Sequence, residues 1–347
     1  MRWIGWVLLC GCFHMAYVLR LSAGALREPL SAEFTLSASS FGLMSSMVFY
    51  AYTLLQIPSG VLADTRGVRS TVAGGMALAG AGALLFASAK SVPALFFGRA
   101  LMGVGVAGIF VCVMKFLAEN FERERFATLS GATSFAGNAG GIVAQAPLAM
   151  LVGALAWRGA FLSLGAVCLA LAALSALFLP AGRRSDVSQA ELRAGVRAIL
   201  RTRGMYFTGL NYLANQSCFL ALSGTWGVSY LRAVHGIDQA PSYITLMVVG
   251  VMAGAVVAGR ISDGARSRRR PLRLFAAAHA LCWGALLLSG SGISLYALAG
   301  SLFSLGFFAG ALVLPWSMAK EMNPPEFTGV AIALLNTAAF LAVAVLT

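Results

Sequence analysis

Apolar runs long enough to cross a bilayer recur along the chain, each closed by a short polar stretch. A transmembrane helix needs about 20 mainly apolar residues, because hydrocarbon about 30 Å thick offers its backbone no outside hydrogen-bond partner. Runs of that kind lie near 4–26, 41–62, 71–89, 92–118, 127–151, 158–180, 205–231, 243–261, 272–290, 292–318 and 327–347. The pattern predicts an all-α membrane protein with about eleven transmembrane helices. One long polar interruption, 181–204, separates an N-terminal bundle of six spans (1–180) from a C-terminal bundle of five (205–347). Within it, Ser188-Gln-Ala-Glu191 has the form of a capping box. Leu192, Val196 and Ile199 then repeat at helical spacing beside Arg193, Arg197 and Arg201. The segment is either a helix lying on the inner membrane surface or a flexible cytoplasmic linker.

Composition agrees with the pattern. The chain is 59% hydrophobic and 11% charged, against roughly 45–50% and 25% for an ordinary soluble domain. Charge adds a direction, since Lys and Arg stay on the cytoplasmic side. With the N-terminus inside, the inner segments hold Arg66, Arg69, the arginine clusters of 183–203 and 266–273, and Lys320, whereas the outer ones hold only Arg27, Lys90, Arg158 and Arg232. This places a multi-pass protein in the plasma membrane, a bacterial inner membrane, with a cytoplasmic N-terminus. Reading the first span as a cleaved signal peptide would reverse every later loop and contradict this bias. The net charge of +13 does not indicate a nucleic-acid partner, because the cations sit between apolar runs without aromatic and polar interleaving. The six cysteines lie inside the runs and read as small core residues. No nucleotide-binding loop, metal-ligand spacing or catalytic constellation stands out, so neither an enzyme nor a cofactor is expected.

Two polar loops share a pattern. Gly60-x-x-x-Asp64-x-x-Gly67-x-Arg69 joins spans 2 and 3, and Gly259-x-x-x-Asp263 joins spans 8 and 9, the equivalent place in the second bundle. The first resembles the signature loop of the major facilitator superfamily and the second its weaker copy. Arg99-x-x-x-Gly103-x-Gly105 in span 4, Trp157-Arg158-Gly159-Ala160-Phe161 before span 6 and Gln56-Ile57-Pro58-Ser59-Gly60 in span 2 also resemble segments of that family. The resemblance covers essentially the whole chain. It implies a two-bundle secondary transporter, in which Asp64, Arg66 and Arg69 form a cytoplasmic latch against the eleventh helix, which here follows Pro324-Pro325. Gly60, Gly67, Gly259 and Asp263 belong to the same gating elements. The family's usual arginine after the aspartate is Thr65 here, a departure that weakens the expected latch. The resemblance also implies twelve spans, one more than this sequence carries.

The resemblance assigns the lining of a central cavity to helices 1, 4, 7 and 10. Arg20 on span 1 and Arg99 on span 4 should lie at similar depth, and no Asp or Glu stands well inside any span to neutralise them. A cation at the centre of a membrane helix costs roughly 2.5–3.5 kcal/mol, which points to an anionic solute as the partner, although snorkelling and structural roles remain alternatives. Tyr17 shares the helix face of Arg20, as in family members that carry carboxylates or organic phosphates. Asn211 and Asn215, one turn apart on span 7 with Gln216 and Trp226 nearby, could bind hydroxyl or carboxylate oxygens or join neighbouring helices. For proton coupling the candidates are His14, Glu119 and His279, with His14 preferred. The glycine run Gly137-Asn138-Ala139-Gly140-Gly141 of span 5 lacks the Gly-Pro pair of drug antiporters and reads as close helix packing.

These readings converge on a secondary transporter of a small organic anion, working by alternating access as a monomer in the lipid bilayer, with proton-coupled symport. An exporter of neutral or cationic solutes, and a transporter-derived sensor or inactive truncated fragment, are the alternatives.

Overall fold

The computed structural model describes residues 2–180, 197, 199, 201–265, 267–323 and 328–346, without the side chains of residues 57, 60, 61, 64, 65, 118, 123–128, 130, 263, 320, 328–330, 332, 333 and 344. Helices dominate and no strand occurs among the described residues. Contacts divide the chain into two compact units.

The first unit holds α1 (Arg2–Leu21), a 3-10 turn (Ser22–Leu26), α2 (Arg27–Phe34), α3 (Ala38–Arg66), α4 (Val68–Ala87), α5 (Val92–Val106), α6 (Ile109–Asn120), α7 (Arg123–Val143) and α8 (Ala146–Phe178). The second holds α9 (Arg203–Ala221), a π turn (Leu222–Trp226), α10 (Gly227–His235), α11 (Ala240–Gly264), α12 (Arg269–Ser289), α13 (Leu295–Ala309), a 3-10 turn (Gly310–Leu312), α14 (Val313–Met322) and α15 (Thr328–Leu346). Among the described residues, 8 helical stretches are long and apolar enough to cross a membrane. The predicted spans 5, 7 and 11 are helical too, as α7, α9–α10 and α15. Ser, Asn and Gln residues dilute the apolar character of the first two, and in the third the described apolar stretch is shorter, Leu334–Val343.

The loop expected between spans 5 and 6 is a tight corner at a single non-helical residue. Helix α8 runs through it as two pieces meeting at Ala156, whose φ of 54° is uncommon for a residue with a side chain. The Trp157-Arg158 pair follows immediately and ties the corner down. Trp157 Nε1 donates to Glu33 Oε2 at 2.9 Å, Arg158 Nη1 to the same oxygen at 2.6 Å, and Arg158 Nη2 to the Ala89 carbonyl at 2.7 Å. These bonds join α2, the end of α4 and the kink of α8.

Packing within each unit runs through small residues. In the first, α4 lies along α5 and α8, α3 along α5, and α1 along α7; in the second, α11 lies along α13 and α9 along α15. A β-carbon on Gly103 of α5 would come within 2.9 Å of Val48 Cα on α3, and one on Gly306 of α13 within 3.0 Å of Met247 Cα on α11. Gly103 and Val48 belong to spans 4 and 2; Gly306 and Met247 belong to spans 10 and 8. The two units therefore repeat one close backbone contact at equivalent places, as an internal duplication requires. The glycine run of α7 also serves packing: a β-carbon on Gly137 would lie 3.0 Å from Tyr17 Cε2, and one on Gly140 3.1 Å from Tyr17 Cβ. At Gly259 of the second motif, a β-carbon would meet nothing within 4 Å.

Between α3 and α4 the chain reverses at the single residue Gly67, with φ 85° and ψ 163°. That region is open essentially to glycine alone, which accounts for Gly67 in the motif. Arg66 and Arg69 are exposed beside it. The surroundings of Gly60, Asp64 and Asp263, together with Pro324-Pro325 and the capping-box segment 188–191, lie outside the described residues.

Candidate solute-binding site

Irregular turns interrupt the predicted spans 1, 4, 7 and 10: the 3-10 turn at Ser22–Leu26, the Ala107-Gly108 break between α5 and α6, the π turn at Leu222–Trp226 and the 3-10 turn at Gly310–Leu312. Span 5 also breaks, at Ala144-Gln145. Broken membrane helices expose backbone groups that must be satisfied by neighbours or by a cavity. The polar side chains singled out from the sequence cluster on three of the four interrupted spans paired across the duplication.

In the first unit, Arg20 closes α1 and is only 4% exposed. Its Nε donates to the Ala16 carbonyl at 3.1 Å, one turn back on the same helix. Its guanidinium carbon lies 4.3 Å from the ring centroid of Tyr17 and 4.9 Å from that of Tyr52 on α3. Both distances are within cation–π range. Tyr17 was legible as a neighbour from the i, i+3 spacing; Tyr52 was not, because only the packing of α3 on this unit brings it there.

Arg99, expected to meet a solute, is fully enclosed, with 0% exposure. Its Nη1 donates to the Leu19 carbonyl at 2.8 Å and to Ser22 Oγ at 3.1 Å, and its Nη2 to the Ser45 carbonyl at 3.5 Å. The Leu19 carbonyl belongs to the last turn of α1, where a helix leaves carbonyls without intrahelical donors. That carbonyl also accepts from Ser22 Oγ at 2.9 Å, and a buried cation there complements the negative helix end. Arg99 thus fastens α5 to α1 and α3, on the backbone one residue before Arg20. Its Nε finds no partner among the described residues.

His14 faces α7, with Nδ1 3.0 Å from the Ala136 carbonyl. A carbonyl only accepts, so Nδ1 carries the hydrogen.

In the second unit, Asn215 Nδ2 donates to the Asn211 carbonyl at 3.1 Å and to Asn211 Oδ1 at 3.3 Å. The Asn215 Oδ1 meets Nδ1 of His279 on α12, and Trp283 Nε1 donates to His279 Nε2 at 3.0 Å. Tyr212, on another face of α9, donates to Asn336 Oδ1 on α15 at 2.8 Å. Among the described residues no group of three or more His, Cys, Asp or Glu side chains could hold a metal ion.

Two helical units, duplicated close contacts and buried polar groups on broken membrane spans define the class: a membrane transporter with internally repeated bundles. The Major Facilitator Superfamily model matches residues 8–347, and the chain belongs to that family. It is therefore a multi-pass membrane transporter and not an enzyme. It is 26% identical to the "Probable sulfoacetate transporter SauU" of Cupriavidus necator, over 95% of this chain and 82% of that protein. It is also 26% identical to the "Probable L-galactonate transporter" of Escherichia coli over 71% of this chain and 58% of that one. Monocarboxylate transporter 11 of Mus musculus is 30% identical over 75% of this chain and 58% of its own length. Among solved structures, a bacterial homologue of the human lysosomal transporter Spinster, inward-facing and unoccupied, aligns with a TM-score of 0.76 at 17% identity. The alignment covers 98% of this chain and 80% of that one, and shares the fold.

Proposed function

We propose that this protein carries a small organic anion across the plasma membrane by alternating access, with Arg20 receiving the anion and a proton as the coupling ion. The observation that carries this reading is the burial of Arg20, on the first predicted span, against Tyr17 and Tyr52. A guanidinium there is costly, and an anionic solute offsets part of that cost when it binds. The relatives' names point the same way, since sulfoacetate, galactonate and monocarboxylates are all organic anions.

In this reading Tyr17 holds the plane of the Arg20 guanidinium, and Arg99 keeps the turn that bears Arg20 in place. Asn211 and Asn215 offer hydrogen bonds to the rest of the solute. His14 takes and releases the coupled proton at Nε2, since its Nδ1 donates to the Ala136 carbonyl. Asp64, Arg69 and Asp263, with the glycines Gly60, Gly67 and Gly259, form the cytoplasmic gating elements. The protein works as a monomer in a bacterial inner membrane with its N-terminus in the cytoplasm.

Uptake of radiolabelled sulfoacetate, galactonate and lactate into proteoliposomes, with and without an inward proton gradient, tests the proposal. Saturable uptake of at least one, raised by the gradient and abolished in Arg20→Gln with membrane insertion intact, is the expected result. Wild-type uptake in Arg20→Gln removes Arg20 from the site, and binding without flux replaces transport with a sensor role.

A further inference from the structure

We propose that His279 and Trp283, on the second unit's α12, are positioning residues that hold Asn215 and Asn211 in a single amide orientation. Asn211 Nδ2 is thereby presented as the hydrogen-bond donor for an oxygen of the solute. The inference rests on the transport reading above and adds to it which atom faces the solute and what holds it there.

The direction of the chain of hydrogen bonds follows from one group that has no choice. An indole N–H donates and never accepts, so the 3.0 Å contact from Trp283 Nε1 makes His279 Nε2 an acceptor. An imidazole that accepts at Nε2 is neutral and carries its hydrogen on Nδ1. That hydrogen faces Asn215, and the atom meeting it is the amide oxygen, Oδ1. The Asn215 Nδ2 group therefore turns the other way, toward the Asn211 carbonyl and Oδ1 at 3.1 and 3.3 Å. With Asn211 Oδ1 accepting, the free end of the chain is Asn211 Nδ2, which has no acceptor among the described residues.

Burial strengthens the assignment. His279 and Asn215 are buried, while Asn211, at the end of the chain, is partly exposed. A buried relay in which every donor and acceptor is matched has one low-energy orientation, and reversing any member leaves two donors or two acceptors in contact and a buried group unsatisfied. An asparagine on a helix would otherwise offer oxygen or N–H equally well. Here the relay makes Asn211 a donor, which suits an acceptor oxygen of an anionic or hydroxylated solute. While Trp283 donates to Nε2, His279 has no site for a second proton, so the relay positions and does not carry the coupled proton.

Three variants separate this role from mere packing. In His279→Asn, the amide N–H replaces Nδ1–H as donor to Asn215. In His279→Gln, the amide oxygen replaces Nε2 as acceptor from Trp283, but the donor to Asn215 is lost. Asn211→Asp turns the presented donor into a carboxylate. Uptake kinetics of the purified full chain in proteoliposomes, with radiolabelled sulfoacetate, galactonate and lactate, should show a KM near wild type for His279→Asn. A KM about tenfold higher at similar kcat is expected for His279→Gln and a larger rise for Asn211→Asp. An equal rise in the two His279 variants, or no rise in either, overturns the proposal.

A second measurement stands apart from transport. In 15N-histidine-labelled protein in nanodiscs, the His279 signal, identified by its loss in His279→Asn, should report a neutral ring protonated at Nδ1, and Trp283→Phe should change it. A ring protonated at Nε2, or at both nitrogens, overturns the relay. If wild-type vesicles take up none of the three anions, the transport reading fails, and the tautomer still decides the relay.

Discussion

Arg99 donates from Nη1 to the carbonyl of Leu19 at 2.8 Å, so the enclosed guanidinium of α5 is fixed to the backbone one residue before Arg20. The two cations singled out together have different partners: Arg99 donates to acceptors on three stretches of chain, while Arg20 donates to the Ala16 carbonyl of its own helix and lies against two tyrosine rings. Arg99 also reaches Ser22 and Ser45, so three stretches of chain meet on one side chain.

Replacing Arg99 with Gln should therefore act on stability first. Losing these charge-assisted bonds in a buried place costs about 3 kcal/mol, or a fall in melting midpoint of roughly 6–12 °C for a unit of this size. Thermal unfolding in nanodiscs, followed by tryptophan fluorescence, gives the measurement. Arg20→Gln in the same assay should stay within a few degrees of wild type. A melting curve for Arg99→Gln that overlays wild type would end the fastening role.

The glycines of the repeated contact give a paired experiment. Gly103→Ala sets a β-carbon 2.9 Å from Val48 Cα, and backbone there has little room to yield. Overpacking of this kind costs about 1–3 kcal/mol. Gly259→Ala, with open space around it, should be nearly neutral. Equal melting midpoints for the two variants would contradict the close approach of α3 and α5.

Gly67→Ala puts a side chain at φ 85° and ψ 163°, a strain of about 1–3 kcal/mol. The turn must then open, moving α4 relative to α3 and the exposed Arg66 and Arg69 with it. Both melting midpoint and transport turnover should fall. Unchanged values for both would mean that the turn tolerates a side chain after all.

The clasp at the α8 kink carries a pH dependence. Hydrogen bonds from Arg158, and next from Trp157, hold the Glu33 carboxyl below its ordinary value of 4.5. Because the folded value is the lower one, the ionised clasp stabilises the protein fully above the ordinary carboxylate range. That contribution fades as pH falls through the folded value. Glu33 is exposed, so the effect is small and screened by salt. The difference in melting midpoint between wild type and Glu33→Gln should be greatest at neutral pH and shrink in acid. A difference that stays constant down to pH about 3 contradicts the linkage.

Much of the architecture can be read along the chain. Run length and apolarity locate the spans, and the spacing of Gly60, Asp64 and Gly67 against Gly259 and Asp263 marks the duplication. Tyr17 beside Arg20 follows from helical spacing alone, as does Trp283 beside His279 one turn on. The tightness of the corner at Ala156 is invisible to the same reading, because a backbone angle at one alanine leaves no trace in hydropathy. The packing of Gly103 and the openness around Gly259 are likewise indistinguishable as letters.

The sequence by itself determined a membrane chain of repeated helical bundles and put cations, amides and histidines inside particular spans, since periodicity and transfer energies act locally. Tertiary structure alone decided which of these groups meet. Arg99 finds Leu19 across 80 residues and His279 finds Asn215 across 64, because a hydrogen bond depends on the approach of two atoms in space, and helix packing sets that approach.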